Sequence, residues 1–366
     1  LADWRFFKII KDFAPSRLAI DYRLLIFLTF ESPNNYPMEM KSLVEQFPSQ
    51  LRKAIEIGKK SSLPKPDREL KNVLITGLGG SGIGGTIVSE LAFSECPVPV
   101  QVSKGYFVPE FVNANTLVIV SSYSGNTEET LACMKQAHEK GAMIFCITSG
   151  GTVEEFAKKN GCGSIIIPGG MPPRACLGYS LTQLIFIFIH CGLLSANHIA
   201  NLEKGAELIA TKQNDIVALA KNIAAFLLGK TPVIYSTTLY EGVAVRFRQQ
   251  LNENAKVLCW HHVIPEMNHN ELVGWAGGSK EFAVVLFRDE AEFERNAYRI
   301  QLNKDIITRY TPHYTEITTQ GNSYLEKAIY LIHVGDWISV ELAALRGVDA
   351  IEVNVINFLK DELSKK

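Results

Sequence analysis

Two segments of this chain carry residue types that hold anions. The first is Gly77-Leu78-Gly79-Gly80-Ser81-Gly82-Ile83-Gly84-Gly85, which follows a short apolar run and opens a helical pattern. Glycines let a backbone come close to an anion, and amides at a helix N-terminus donate to it. The second is Ser121-Ser122-Tyr123-Ser124-Gly125-Asn126-Thr127-Glu128-Glu129-Thr130, again between an apolar run and a helical pattern. Its hydroxyls, beside a helix N-terminus, make a phosphate cradle without fixed cations, at the strand end where open α/β sheets bind ligands. The plainer reading is an N-cap by Ser124 or Thr127 with glutamate in the first turn, and the two readings are compatible. Gly77-x-Gly79-x-x-Gly82 also has dinucleotide spacing. The acidic residue expected about 20 positions on is missing, because the next apolar run, Val98 to Val102, ends in Ser103-Lys104. No Lys-Ser/Thr follows the glycines, so the loop is not a nucleotide P-loop either.

The elements that would position these loops follow a regular rhythm. Short apolar runs at 73–77, 98–102, 116–120, 143–148 and 164–167 alternate with helical patterns at 84–93, 127–140 and 153–160. That alternation predicts a parallel sheet with helices on both faces. An apolar helix is expected over 177–194 and a polar helical stretch over 201–228. The rhythm then restarts, with strands at 231–236, 282–287 and 313–317 and helices at 241–255, 290–307, 324–346 and 353–363. The fold class expected is α/β, with two doubly wound parallel-sheet units. The boundaries read as an extension at 1–39, a helix and linker at 40–70, a first unit at 71–195, a second at 196–350 and a terminal helix at 351–366. Residues 1–39 read as a variable extension, with Met38 or Met40 as a natural start.

Composition excludes several classes. The net charge of −1 steers the chain toward neither nucleic acid nor an anionic membrane. Seven scattered cysteines, an odd number without a Cys-x-x-Cys pair, fit reduced thiols in a cytoplasmic protein. The apolar run 181–194 is broken by Thr182, Gln183 and His190, so no membrane span is expected. Adjacent His261 and His262 point apart on a strand, and no carboxylate–histidine spacing joins them to His269, so no metal or other cofactor is expected.

The paired loops resemble the sugar-isomerase (SIS) fold of phosphosugar isomerases and phosphosugar-binding regulators. Pro172-Pro173-Arg174-Ala175-Cys176-Leu177-Gly178-Tyr179 resembles a segment of bifunctional phosphoglucose/phosphomannose isomerases. So do Arg246 to Lys256, Pro265-Glu266-Met267-Asn268-His269-Asn270-Glu271-Leu272-Val273-Gly274-Trp275, Leu345 to Asp349 and Ile356 to Lys360. The resemblance runs from about Lys41 to the end. It implies reversible isomerisation of glucose 6-phosphate and mannose 6-phosphate with fructose 6-phosphate. Moving a proton between C1 and C2 through an enediolate needs a carboxylate base, a donor for the enediolate oxygen and an acid/base for ring opening. The resemblance assigns these roles to Glu253, Arg174 and His269. It adds Lys360 at the ring oxygen, and Gly80, Ser81, Ser122, Ser124 and Thr127 as phosphate ligands. It further implies a homodimer in which His269 comes from the neighbouring subunit. Members often carry proline and a hydroxyl residue after the aspartate matching Asp349, where Ala350 and Ile351 stand here. The glucose–fructose reaction depends less on that hydroxyl than the mannose reaction would.

Each residue has a plainer role. Glu253 among Arg246, Arg248 and Lys256 could be a surface ion-pair cluster, and Arg174 could clamp a helix end. His269 between two asparagines could be a polar loop residue. A monofunctional glucose-6-phosphate isomerase, or an isomerase of other ketose phosphates, is the nearest rival. A phosphosugar-sensing transcription regulator is the rival from another class. It would carry a helix-turn-helix ahead of the SIS unit, and residues 1–39 are too short and insufficiently basic for one.

Overall fold

The computed structural model describes residues 39–365; the expectation for an N-terminal extension lies outside them, apart from Glu39. Two helices, α1 (Met40–Glu45) and α2 (Phe47–Lys60), lead into the first sheet. Its strands are β1 (Asn72–Thr76), β2 (Val100–Ser103), β3 (Thr116–Ser121), β4 (Met143–Thr148) and β5 (Gly163–Ile166). Between them lie α3 (Gly79–Ala92), α4 (Glu128–Glu139) and α5 (Gly151–Asn160). The strands are all parallel, in the order β2-β1-β3-β4-β5. Such an order reverses direction between β1 and β3, and a ligand crevice opens at that switch point.

Helices α6 (Leu177–His190), α7 (Asn197–Thr211) and α8 (Gln213–Leu227) connect to the second sheet. This one has β6 (Thr231–Thr237), β7 (Trp260–Ile264), β8 (Phe282–Arg288) and β9 (Tyr314–Thr318), parallel in the order β7-β6-β8-β9. It carries α9 (Glu241–Glu253), the short α10 (Glu271–Gly274) and α11 (Glu294–Ile307), and it closes with α12 (Tyr324–Arg346) and α13 (Asn354–Leu363). Strand order in the second sheet repeats the first, one strand shorter.

Both sheets are buried on both faces, as their continuous apolar strands require. Along β3, Leu117 and Ile119 enter one core while Val118 and Val120 enter another, the two-residue alternation of a strand. The larger core runs without a break through α2, α3, α6, α7, α8, α9 and α12 and takes one face of each sheet. The sequence rhythm therefore reads correctly as a doubly wound α/β fold.

Strand β7 had no place in the expected rhythm of the second unit, and four further details depart from it. Helix α3 starts at Gly79, five residues earlier than expected, so the glycine segment is the first turns of a helix and not a loop. The polar stretch is two helices that break at Lys212. Helix α11 starts at Glu294, not 290, because Asp289 turns the chain first: its carboxylate accepts from Ala291 N at 3.0 Å. And the apolar helix to weigh as a span was α12, not 181–194. Among the described residues α12 alone is long and apolar enough to cross a membrane, yet 83% of its apolar window is buried. It is the central core helix, with Glu326, His333, Asp336 and Ser339 all buried in protein.

Candidate active site

The hydroxyls converge where β1 and β3 end. Ser81 lies in the first turn of α3, and its hydroxyl accepts from Tyr123 N at 3.0 Å. That leaves the Ser81 proton free to donate. Ser122 and Thr127 pair their hydroxyls at 3.1 Å. Ser124 is exposed, and its hydroxyl accepts from Asn126 N at 3.3 Å. Thr127 is the N-cap residue of α4, but no side-chain bond caps the helix. The amides of its first turn remain donors without a capping partner, which is what an anion needs there.

Gly80 has a different visible task. A Cβ on it would lie 2.7 Å from the Pro173 carbonyl oxygen and 3.0 Å from Arg174 N. Only glycine lets the start of α3 press on the short 3-10 turn Pro173–Ala175. That turn holds Arg174, whose side chain is 4% exposed. Its Nε donates to Asn254 Oδ1 at 2.8 Å, its Nη1 lies 3.5 Å from Glu253 Oε2, and its Nη2 donates to the carbonyls of Ala350 and Ile351. Burial pulls the guanidinium pKa below its ordinary value, and Glu253 opposes that pull.

Glu253 is the last residue of α9 and its side chain is 28% exposed. A carboxylate there meets the negative end of the helix dipole, so it gains nothing from its own helix. The surface cluster that was the plainer reading does not form. Arg246 is buried and forks onto Asp336 at 3.2 and 2.8 Å, while its Nη2 also donates to Arg174 O at 2.7 Å. Lys256 turns to carbonyl oxygens. Glu253 faces Arg174 instead.

The remaining candidates are not brought in by this chain. His269 lies exposed in the 3-10 turn Glu266–His269 beyond edge strand β7, and Lys360 lies exposed on α13. Neither makes a hydrogen bond to Arg174 or Glu253. His261 and His262 do separate, as adjacent strand residues must: His262 Nδ1 accepts from Val263 N, and His261 Nε2 lies 3.9 Å from Glu241. The residues that sequence reasoning missed are those supporting Arg174: Asn254, Ser339, Asp336 and Gln50. Asn254 Nδ2 donates to Ser339 Oγ at 2.9 Å, and Gln50 Nε2 donates to Ala175 O at 2.7 Å. Gln50, Asp336 and Ser339 showed in the sequence only as polar residues within helical patterns, while Asn254 lay in the Arg246 to Lys256 segment that carries the resemblance.

The chain is 38% identical over 332 residues to the bifunctional phosphoglucose/phosphomannose isomerase of Caldicellulosiruptor bescii, an alignment covering 88% of this chain and 98% of that one. It belongs to the bifunctional phosphoglucose/phosphomannose isomerase family. Residues 216–363 match the bacterial phospho-glucose isomerase C-terminal SIS domain. Membership makes the chain an isomerase, and the SIS-type fold agrees. The C-terminal domain of glucosamine-fructose-6-phosphate aminotransferase from Francisella tularensis superposes with a TM-score of 0.69 at 14% identity, covering 88% of this chain and all of that one. The D-glucosamine-6-phosphate 4-epimerase of Sulfolobus acidocaldarius is 30% identical over 286 residues, covering 77% of this chain and 89% of that one.

Proposed function

We propose that this isomerase interconverts glucose 6-phosphate, and mannose 6-phosphate, with fructose 6-phosphate. The observation that carries the proposal is the buried Arg174 guanidinium held against the partly exposed Glu253 carboxylate. The phosphate takes the hydroxyls of Ser81, Ser122, Ser124 and Thr127 and the open amides of α4. Glu253 removes the proton from the carbon next to the carbonyl and returns it to the former carbonyl carbon, while the hydroxyl proton passes from the oxygen of the first carbon to that of the second, so no net proton is lost. Arg174 donates to the oxygen that gains negative charge in the enediolate. Ring opening falls to His269 of a second copy, since His269 stands exposed on its own chain, and Lys360 assists at the ring oxygen. The arrangement needs a homodimer.

Replacing Glu253 by Gln keeps an acceptor for Arg174 and removes the base. Turnover should drop by roughly a thousandfold or more while phosphosugar binding survives. Turnover within tenfold of the native enzyme would remove Glu253 as base. Glucose 6-phosphate and mannose 6-phosphate, each assayed separately for fructose 6-phosphate with EDTA present, test the substrate range. The epimerase relative supports one rival reading, so glucosamine 6-phosphate belongs in the same panel; conversion of it alone would replace the hexose isomerase proposal.

A further inference from the structure

Lys256 stands three residues after Glu253 with φ at 56°, the one non-glycine residue with positive φ among the described residues. A helix commonly ends on glycine or asparagine in that conformation, where an L side chain with a Cβ is strained. The lysine kept there is therefore a lead toward function. Its Nζ donates to Glu253 O at 2.6 Å and to Glu352 O at 2.7 Å. Those two carbonyls belong to segments 99 positions apart: the end of α9 and the irregular stretch before α13. Arg174 grips the same stretch through the carbonyls of Ala350 and Ile351. Helix α13 then leaves the body with none of its residues buried; Val355 is 82% and Phe358 66% exposed. The ties at 350–352, together with Val348, Ala350 and Ile351 packed against the core, hold its root.

We infer that Lys256 is a positioning residue of the isomerase site. Its ammonium fastens the 349–352 segment to the backbone of Glu253, so that base, Arg174 and the root of α13 share one register. The inference rests on the reading of Glu253 as the base. A plainer role exists, a cation capping the carbonyls at a helix C-terminus. That role would change stability without changing the chemistry of the folded enzyme. Burial lowers the Lys256 pKa while Glu352 opposes it, which agrees with an ammonium enclosed between carbonyls.

The experiment uses the full-length chain with Lys256→Gly, Lys256→Met and Lys256→Arg, assayed well below their melting temperatures. Glycine removes the tie and the backbone strain together; methionine removes the tie and keeps the strain. Both should lower kcat at least tenfold with KM within threefold, because the phosphate contacts lie elsewhere. Lys256→Arg, which can still reach carbonyls, should recover at least half of native kcat. Amide exchange at residues 350–363 should quicken at least tenfold in the glycine and methionine variants, with the first sheet unchanged. A fall in kcat below tenfold, unchanged exchange at 350–363, or no recovery in the arginine variant overturns the inference. Glu253→Gln, measured alongside, separates the two ideas. If it retains turnover, the base reading fails, while exchange at 350–363 still decides whether Lys256 ties the segment.

Discussion

Single atoms decide whether this site is assembled. Gly80 was expected to lend its backbone to a phosphate, and its nearest neighbours are Pro173 O and Arg174 N. A methyl group there would sit inside van der Waals distance of a backbone that cannot rotate away. Gly80→Ala should push the Pro173–Ala175 turn outward and with it the Arg174 guanidinium. We expect a stability loss of about 1–3 kcal/mol, measured by urea unfolding. The fall in kcat/KM should be larger than the change in phosphate-inhibitor affinity, because Arg174 moves and the hydroxyls of Ser122 and Thr127 do not.

Among the elements, α9 and α12 form the wall behind the site. Arg246 of α9 and Asp336 of α12 are both buried, with side chains 2% and 6% exposed. Burial raises the Asp336 pKa, and Arg246 counters it. The pair also carries a task beyond its own charge, since Arg246 holds Arg174 O. Asp336→Ala leaves a buried guanidinium without its partner and should cost about 3–5 kcal/mol. Chemical denaturation would measure this. A cost under about 1 kcal/mol would mean that water reaches Arg246. The plainer sequence reading allowed Arg246 a place in a surface cluster, because a charged residue on a helix is usually solvated; it could not know that α12 brings an aspartate 90 positions away to meet it.

At the scale of the molecule, the two sheets repeat one strand order. Asp289, just after β8 in the second, accepts from Tyr240 Oη at 2.5 Å and from Lys327 Nζ at 2.7 Å. Beside it Glu90 of α3 reaches across to the second half, accepting from Gly242 N at 2.5 Å and Tyr324 Oη at 2.9 Å. Burial pushes the Glu90 carboxyl up to about 8 from an ordinary 4.5. The folded chain thus holds this proton more tightly than the unfolded one. The stability it confers is complete below about pH 4.5 and is lost as pH rises through about 8, a difference of about 5 kcal/mol. Glu90→Gln keeps both acceptor and donor capacity without a charge. Its melting temperature should exceed the native one at pH 8 and match it at pH 5. Equal melting temperatures at both pH values would show that Glu90 titrates at its ordinary pKa.

The local message was strong where chemistry and periodicity repeat within a few residues. The alternation of apolar runs with helical patterns dictated parallel sheets buried on both faces, because no other arrangement covers strands that are apolar all round. The clustering of hydroxyls between β3 and the start of α4 was legible for the same local reason: strand end, hydroxyls and helix start are contiguous. What the tertiary structure alone decided are meetings between distant segments. Arg174 finds Glu253 79 positions on, and the carbonyls of Ala350 and Ile351 beyond 170. Lys256 joins Glu352, and Gly80 touches Pro173. Such contacts leave no periodic trace, since each rests on one side chain and on a packing of helices that only the whole core determines.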